Sequence, residues 1–518
     1  MKISFYYEKL IILFSIILLV VSFYFSLNTF THIFDSGHHG SILLNALDII
    51  DKKIPYKEIF VQYGLLNPVI NSFFLKFFKF DVIGIYFATS LFYYFGILFL
   101  ALKTKKLTNY NGYILTVIII LFNHPIPEYP WPNYSAFFFL SLSIYIFDEL
   151  NSKKIFLSSI LLSLTCLTRE NFYYFIIPCL IIINLFLYFK HKKLKKNVYS
   201  IVGFFIPLII FFTYLILNDL LFKWIEFQTL PYEYLRSYDK SFFTLLYEFS
   251  FFIIFEVPFL IGTYPQYFPI LLILIFNIYV LIEEILFNKF NNINIIFISI
   301  LSISSLIVSI NLEIFRMYTS IIIGLPIFFY KLNLFNNKEN KFIIIFLVTF
   351  ISLISIYTSP KGNTKFFKNI NFEKSYNLEI SKYFRNQKWE KDKWVFVKNF
   401  VEIDNLIKEK CDINYVLNLT PNAFVLVLSK LDRVQMSPLI NEHLGREFNI
   451  MFQKDFNKIV NNKILVNDIY IVSMENNIEI LNNDLQNYII FKKINIRGFK
   501  GSEMRVFIPT KCYNKINL

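Results

Sequence analysis

With 518 residues, 56% of them hydrophobic and 17% charged, and with 64 Phe and 34 Tyr, the chain is too apolar for a water-soluble globular protein and reads as a polytopic membrane protein. A net charge of +14 would suit a nucleic-acid binder, but the lysines fall in short runs between apolar segments and no arginine-rich face interleaves with aromatics, so that class is set aside. The sequence contains no P-loop, dinucleotide fingerprint, Cys-x-x-Cys pair or internal repeat, which weighs against an ATP-driven pump.

The run Leu10–Phe30 lacks a small-residue cleavage site and reads as a first transmembrane helix, not a removed signal peptide. The polar stretch His32–Pro68 follows. In it Ser41, Asn45, Asp48 and Lys52 recur at helical spacing among Ile42, Leu43, Leu47, Ile49 and Ile50, which predicts an amphipathic helix on the membrane surface, ended by Pro55. A second surface helix is expected from about Asn67 to Phe80, with Asn71, Lys76 and Lys79 on its wet side. Asp35 precedes the first of these helices, at the membrane boundary.

Further apolar runs follow to about residue 358. Three basic runs (Lys103, Lys105 and Lys106; Lys153 and Lys154; Lys190 to Lys196) fall on one side if the helices alternate, and the positive-inside rule makes that side cytoplasmic. The connections 123–133 and 168–171 contain no lysine and face out, as does His32–Pro68. The run 241–262 carries Glu248 and Glu256, and a carboxylate near the bilayer centre costs roughly 2.5–3.5 kcal/mol. If this run does not span, Lys331, Lys338 and Lys341 also land inside. It is therefore read as lying in or re-entering the outer face, which leaves about eleven transmembrane helices and puts the tail after Pro360 outside.

In that tail WVFV (394–397), NYVLNL (414–419), FVLVLS (424–429), IYIVS (469–473) and YIIF (488–491) read as buried strands, with EIDNLIKEK as a helix between two of them. The expected fold class is thus an α-helical polytopic membrane protein, residues 1–359, with a C-terminal soluble α/β domain, residues 360–518, on the extracytoplasmic side. Cys411 and Cys512 are the only cysteines of the tail and can pair in an oxidising compartment, whereas Cys166 and Cys179 read as buried thiols.

Taken together, these features resemble the GT-C superfamily of polytopic glycosyltransferases, which includes the protein mannosyltransferases and the aminoarabinose transferases of lipid A. The resemblance rests on Asp35 after the first helix and on the surface helix leading into KKIPYKEIFVQYG, with the second surface helix behind it. It rests also on LTRENF (167–172), RMYTSIIIGLPIF (316–328), the helix count and the outward C-terminal domain. DSGHHG departs from the commoner acidic-pair pattern and looks closer to bacterial relatives with a His-rich loop.

The resemblance implies a hexosyl or pentosyl transferase of the bacterial inner membrane. It would move a sugar from a polyprenyl-phosphate carrier to a lipid, glycan or protein acceptor on the outer face, among membrane lipids and without a cofactor or nucleic acid. An acceptor hydroxyl needs a base as it attacks the sugar, and Asp35 is the candidate. The anionic phosphate leaving group needs a cation, best a forked guanidinium, and Arg169, Arg236 and Arg316 are candidates. His38, His39, Glu128 and Glu170 are candidate substrate contacts. Each has a plainer reading: Asp35 as a helix N-cap, the histidines as interfacial polar groups, Arg169 and Glu170 as an ion pair holding a loop. A divalent ion would use Asp35, His38 or His39, and His124, but no regular ligand spacing supports one. A flippase of lipid-linked sugars would call for charges at mid-helix depth and related halves, and neither is present. A glycan polymerase or ligase stays open because of the long 218–268 region.

Overall fold

In lipid, an apolar run can satisfy its backbone N–H and C=O groups only within a helix, and the computed structural model of the chain is mostly helical. It describes residues 2–227 except 33, 36, 62, 109, 124–128 and 193; residues 244, 247, 251, 267–305 except 289, and 322–334; and then 376–377, 382–434 except 390 and 421, 468–474, 488–495 and 503–517. Of the sequence expectations, His124, Glu128, Arg236, Arg316, the run 342–358 and almost all of 241–262 lie outside the described residues.

The helices are α1 (Lys2–His32), α2 (His38–Ile50), α3 (Leu66–Phe77), α4 (Ile83–Leu107), α5 (Tyr110–Asn123) and α6 (Pro132–Ile146). They continue with α7 (Ser152–Thr168), α8 (Tyr173–His191), α9 (Lys195–Leu217), α10 (Tyr267–Leu286), α11 (Ile293–Ser304) and α12 (Leu325–Leu334). The C-terminal elements are β1 (Tyr376–Asn377), β2 (Lys388–Trp389), α13 (Lys391–Lys410), β3 (Tyr415–Leu419), α14 (Phe424–Leu428), β4 (Asp432–Arg433), β5 (Ile469–Met474), β6 (Tyr488–Asn495), β7 (Glu503–Pro509) and α15 (Thr510–Asn517). The chain divides into two compact units: residues 1–27, 89–218 and 241–370 in one, and 28–88, 219–240 and 371–518 in the other.

The first unit is an inverted core. Among the described residues, four helical stretches are long and apolar enough to cross a membrane: Glu8–Thr31, Ile83–Leu107, Glu170–His191 and Lys195–Leu217. Their outward side chains are apolar, among them Leu10, Phe14, Ile181, Leu185, Ile209 and Ile210. Small polar residues sit between the helices. Ser143 Oγ lies 2.7 Å from Ser158 Oγ, Ser26 Oγ 2.9 Å from Ser90 Oγ and Ser159 Oγ 3.3 Å from Ser200 Oγ. This is the pattern of helices packed in lipid, where apolar burial gives no advantage and close approach and hydrogen bonds decide the pairing. Prolines 178 and 207 inside α8 and α9 fit the same setting.

The basic runs gather at one end of this unit. Lys103 donates to Phe147 O at 3.1 Å, Lys154 to Asp148 at 3.0 Å, and Lys190 to Glu149 at 2.8 Å. Glu149 N donates to Asn294 at the start of α11, and Lys331 pairs with Glu283 near the end of α10. One basic rim therefore collects lysines from α4, α7, α8 and α12.

The second unit carries a five-stranded sheet in the order β4-β3-β5-β7-β6. β3 runs parallel to β4 and β5, and β7 runs antiparallel to β5 and β6. The α/β class is as expected, with two exchanges of element type. WVFV belongs to α13, whose buried positions Phe396, Val397, Phe400, Val401, Ile403, Asp404 and Ile407 keep a helical period that overrides the β propensity of the four residues alone. FVLVL forms α14, buried at every position, and an apolar run that short carries no period to separate helix from strand. β7 has no counterpart among the expected strands. A disulfide joins Cys411 and Cys512, Cα–Cα 5.3 Å apart, and ties the end of α13 to α15.

Both surface helices form, and Lys52, Lys76 and Lys79 are exposed as expected, but other polar residues of each helix are turned inward. Asn71, expected on the wet side, is buried together with Asn67 and Ser72, and Ser41 and Asp48 of α2 are buried as well. The C-terminal segment of the same unit meets Asp48 and the polar groups around α2, α3 and the start of α4. Arg433 pairs with Asp48, Asn386 Nδ2 donates to Asp81 at 2.8 Å, and Gln387 Nε2 donates to Thr31 O at 2.8 Å while its Oε1 accepts from Tyr86 Oη at 3.0 Å.

Candidate active site

The chain leaves α1 and turns through Phe34 and Asp35 into α2. The first N–H groups of a helix have no intrahelical acceptor, and Asp35 supplies one. Its Oδ1 accepts from Gly37 N at 2.9 Å and His38 N at 2.7 Å, and His38 Nδ1 lies 3.1 Å from the same oxygen. The turn is closed twice more, by His39 N–H to Asp35 O and by Asp35 N–H to His39 Nδ1, both at 3.1 Å. The spacing Asp-x-x-His-His therefore brings the three predicted residues of this loop together. Asp35 thus makes cap-like bonds to the amides that open α2, whose N-cap position is Gly37, and these bonds do not compete with a chemical role, because they fix where the carboxylate sits.

His38 and His39 differ sharply. His38 is partly exposed beside Asp35, whereas His39 is 1% exposed, with its ring 5.1 Å from that of Phe34, 5.6 Å from Tyr86 and 6.2 Å from Phe30. Burial pushes its imidazole down from 6.5 to a pKa of about 3. The bond from Asp35 N–H makes Nδ1 the acceptor, so the neutral ring carries its proton on Nε2. His39, a candidate substrate contact in sequence, is placed inside this aromatic cluster. The sign of the pH effect follows. Below about pH 6.5 the unfolded chain takes up a proton here that the folded chain refuses until about pH 3, so stability falls as pH drops through that window. The slope from this group is about 1.4 kcal/mol per pH unit. Melting of wild type and His39→Phe between pH 7 and pH 4 should show a shallower slope in the variant; equal slopes would reject the assignment.

Behind the loop, aromatic rings from distant sequence support it. Phe34 packs within 5.1–5.6 Å, ring centre to ring centre, of Trp389, Phe384 and Phe424. Gly40 lets α14 approach: a Cβ there would stand 2.8 Å from Phe424 Cα and closer still to its backbone N. In an isolated helix Gly→Ala gains about 1 kcal/mol, but forcing backbone apart in a packed core costs about 1–3 kcal/mol. Gly40→Ala should therefore lower the melting temperature; a variant as stable as wild type would show that α14 yields without cost. None of Phe384, Trp389, Phe424 or Arg433 is identifiable from sequence, and the local signal is Gly40, the second glycine of DSGHHG.

Farther along α2, the buried Asp48 pairs with Arg433 and accepts from Lys53 Nζ at 2.9 Å, and Arg433 Nη2 also donates to Glu58 O at 3.1 Å. Burial lowers the Arg433 guanidinium from its ordinary value, and Asp48 opposes that shift. Between α2 and α3 a cavity of about 20 Å³, room for about one water, is lined by Ser41, Asn45, Phe60, Tyr63, Gly64 and Asn67 among others.

Arg169 and Glu170 belong to the other unit. α7 ends at Thr168, Arg169 is extended (φ −145°, ψ 105°), and a 3-10 turn over Glu170–Phe172 leads into α8. Both side chains are buried, and Arg169 Nε donates to Asn171 Oδ1 at 2.9 Å. Among the described residues no group of three or more His, Cys, Asp or Glu side chains is arranged to hold a metal ion.

No protein-family model matches the chain, and no curated protein matches it. Its fold is similar to the crystal structure of ArnT from Cupriavidus metallidurans in the apo state, with a TM-score of 0.57 and 9% identity over 97% of this chain and 98% of that one. A second similar structure, the Archaeoglobus fulgidus oligosaccharyltransferase in complex with Zn and sulfate, gives a TM-score of 0.49 and 10% identity over 88% of this chain and 67% of that one. The ArnT likeness is one of fold.

Proposed function

We propose that the chain is a glycosyltransferase of the bacterial inner membrane that moves a hexosyl or pentosyl unit from a polyprenyl-phosphate carrier to a lipid, glycan or protein acceptor on the outer face. The observation that carries this reading is Asp35, held by the Gly37 and His38 amides directly after α1, in a chain with the fold of ArnT. In the reaction the acceptor oxygen forms a bond to C1 of the sugar as the C1–O bond to phosphate breaks. The bonding pair leaves on the phosphate, and the acceptor proton passes to the Asp35 carboxylate. His38, beside Asp35 Oδ1, orients that carboxylate. Arg169, Arg236 and Arg316 are the cations available to the leaving phosphate, with Glu128 and Glu170 as further substrate contacts.

Residues 1–359 are read as the transferase domain and 360–518 as an extracytoplasmic domain. The Cys411–Cys512 bond supports the outward side, since disulfides persist in oxidising compartments. The test compares lipid-linked sugars and surface glycans by mass spectrometry with and without the gene. The transferase reading expects a carrier-linked sugar to accumulate in the outer leaflet while one glycan loses that sugar. Accumulation confined to the inner leaflet would instead mean a flippase.

A further inference from the structure

α3 exposes the face that a soluble protein would bury. Val69, Phe73 and Phe77 recur every four residues along it, and Phe73 is 65% and Phe77 73% exposed. The helix is fixed against the start of α4: a Cβ on Gly84 would stand 2.6 Å from Phe74 O, and the Phe87 ring lies 6.0 Å from Phe74 and 5.1 Å from Phe78. Because α4 is long and apolar enough to cross a membrane, a helix locked to its first turns lies at the level where α4 enters lipid.

A cationic rim borders the stripe. Lys76 and Lys79 come from α3 and the turn after it, and Lys382 and Arg385 from a segment three hundred residues later; all four are exposed. Lys382 Nζ lies 5.0 Å over the Phe80 ring, Arg385 Nη2 donates to Lys79 O at 2.6 Å, and Val82 N donates to Tyr383 O at 2.8 Å. The one carboxylate in these two segments, Asp81, is 2% exposed and accepts from Ile83 and Asn386.

We propose that α3 and residues 382–385 form a docking surface for anionic phospholipid. Val69, Phe73 and Phe77 enter the acyl region and the four cations meet headgroup phosphates. The charge decides the partner, since a rim of cations with no exposed carboxylate among the described residues of these two segments gains more from an anionic leaflet than from a zwitterionic one. Because the rim is assembled from both segments, bound lipid fastens 382–387 onto the α3–α4 turn. None of this depends on the transferase reading.

The test uses the full chain in nanodiscs of phosphatidylcholine with or without phosphatidylglycerol. Phe77→Trp should add fluorescence that acyl-brominated lipid quenches. Native mass spectrometry should show phosphatidylglycerol retained over phosphatidylcholine, with affinity falling roughly fivefold for each lysine replaced in the series Lys76→Ala, Lys79→Ala, Lys382→Ala. Three results would overturn the proposal: added fluorescence in the Phe77→Trp variant that brominated lipid leaves unquenched, retention unchanged in the triple variant, or selective retention of polyprenyl phosphate, which would make the rim a carrier site.

Discussion

Asp35→Asn should lower sugar transfer by the purified protein roughly 10²–10⁴-fold while leaving expression and melting temperature near wild type. The substitution separates two roles that one side chain holds here. Asn caps a helix about as well as Asp, so its carbonyl oxygen can still accept from Gly37 and His38, whose N–H groups lie 2.9 and 2.7 Å from Oδ1. What disappears is the capacity to take the acceptor's proton. A purely capping Asp35 would leave turnover nearly unchanged, and the base would then have to be sought at Glu128 or Glu170. Asp35→Ala is the complementary variant. It removes cap and base together, so a fall in stability of about 1 kcal/mol is expected beyond the kinetic loss.

The reason part of this loop was legible in sequence is distance along the chain. Asp35, His38 and His39 lie within five residues, and a turn followed by a helix brings them together whatever the rest of the molecule does. The same locality made α2 and α3 readable from their periods. Periodicity marks a polar face but does not say what covers it. Asp48 read as water-facing in sequence because its partner Arg433 lies more than three hundred residues away, and Asn71, also read so, is buried. In a lipid-bound chain the usual inference also reverses: the apolar stripe Val69, Phe73, Phe77 is the exposed one. His39 could not be told from His38 by sequence, since a shift of one position around the helix takes one ring into an aromatic cluster and leaves the other beside solvent. The exchange of helix for strand at FVLVL has a different cause, a run too uniform to show a period.

The Cys411–Cys512 bond should contribute about 4–5 kcal/mol to the stability of the unit that contains it, from the chain-entropy relation applied to a loop of 101 residues. The loop it closes holds β3, β4, β5, β6 and β7, so in the unfolded chain the bond restrains the whole sheet-forming segment at once. In the folded chain both sulfurs are buried, and α15 is held against the end of α13, where Lys515 also pairs with Asp412 on the exposed surface. That surface pair cannot replace the bond, since exposed pairs contribute little and are screened by salt. Cys512→Ser should therefore shift denaturant unfolding of the C-terminal elements to much lower concentration, and reductant should do the same to wild type but not to the variant. The reading fails if wild type, denatured without reductant, yields four titratable thiols instead of two, because only Cys166 and Cys179 are free in the folded chain. The same measurement bears on sidedness. Protein taken directly from native membranes should already carry the bond, as a domain in an oxidising compartment does, and reduced Cys411 and Cys512 in that material would argue for a cytoplasmic tail.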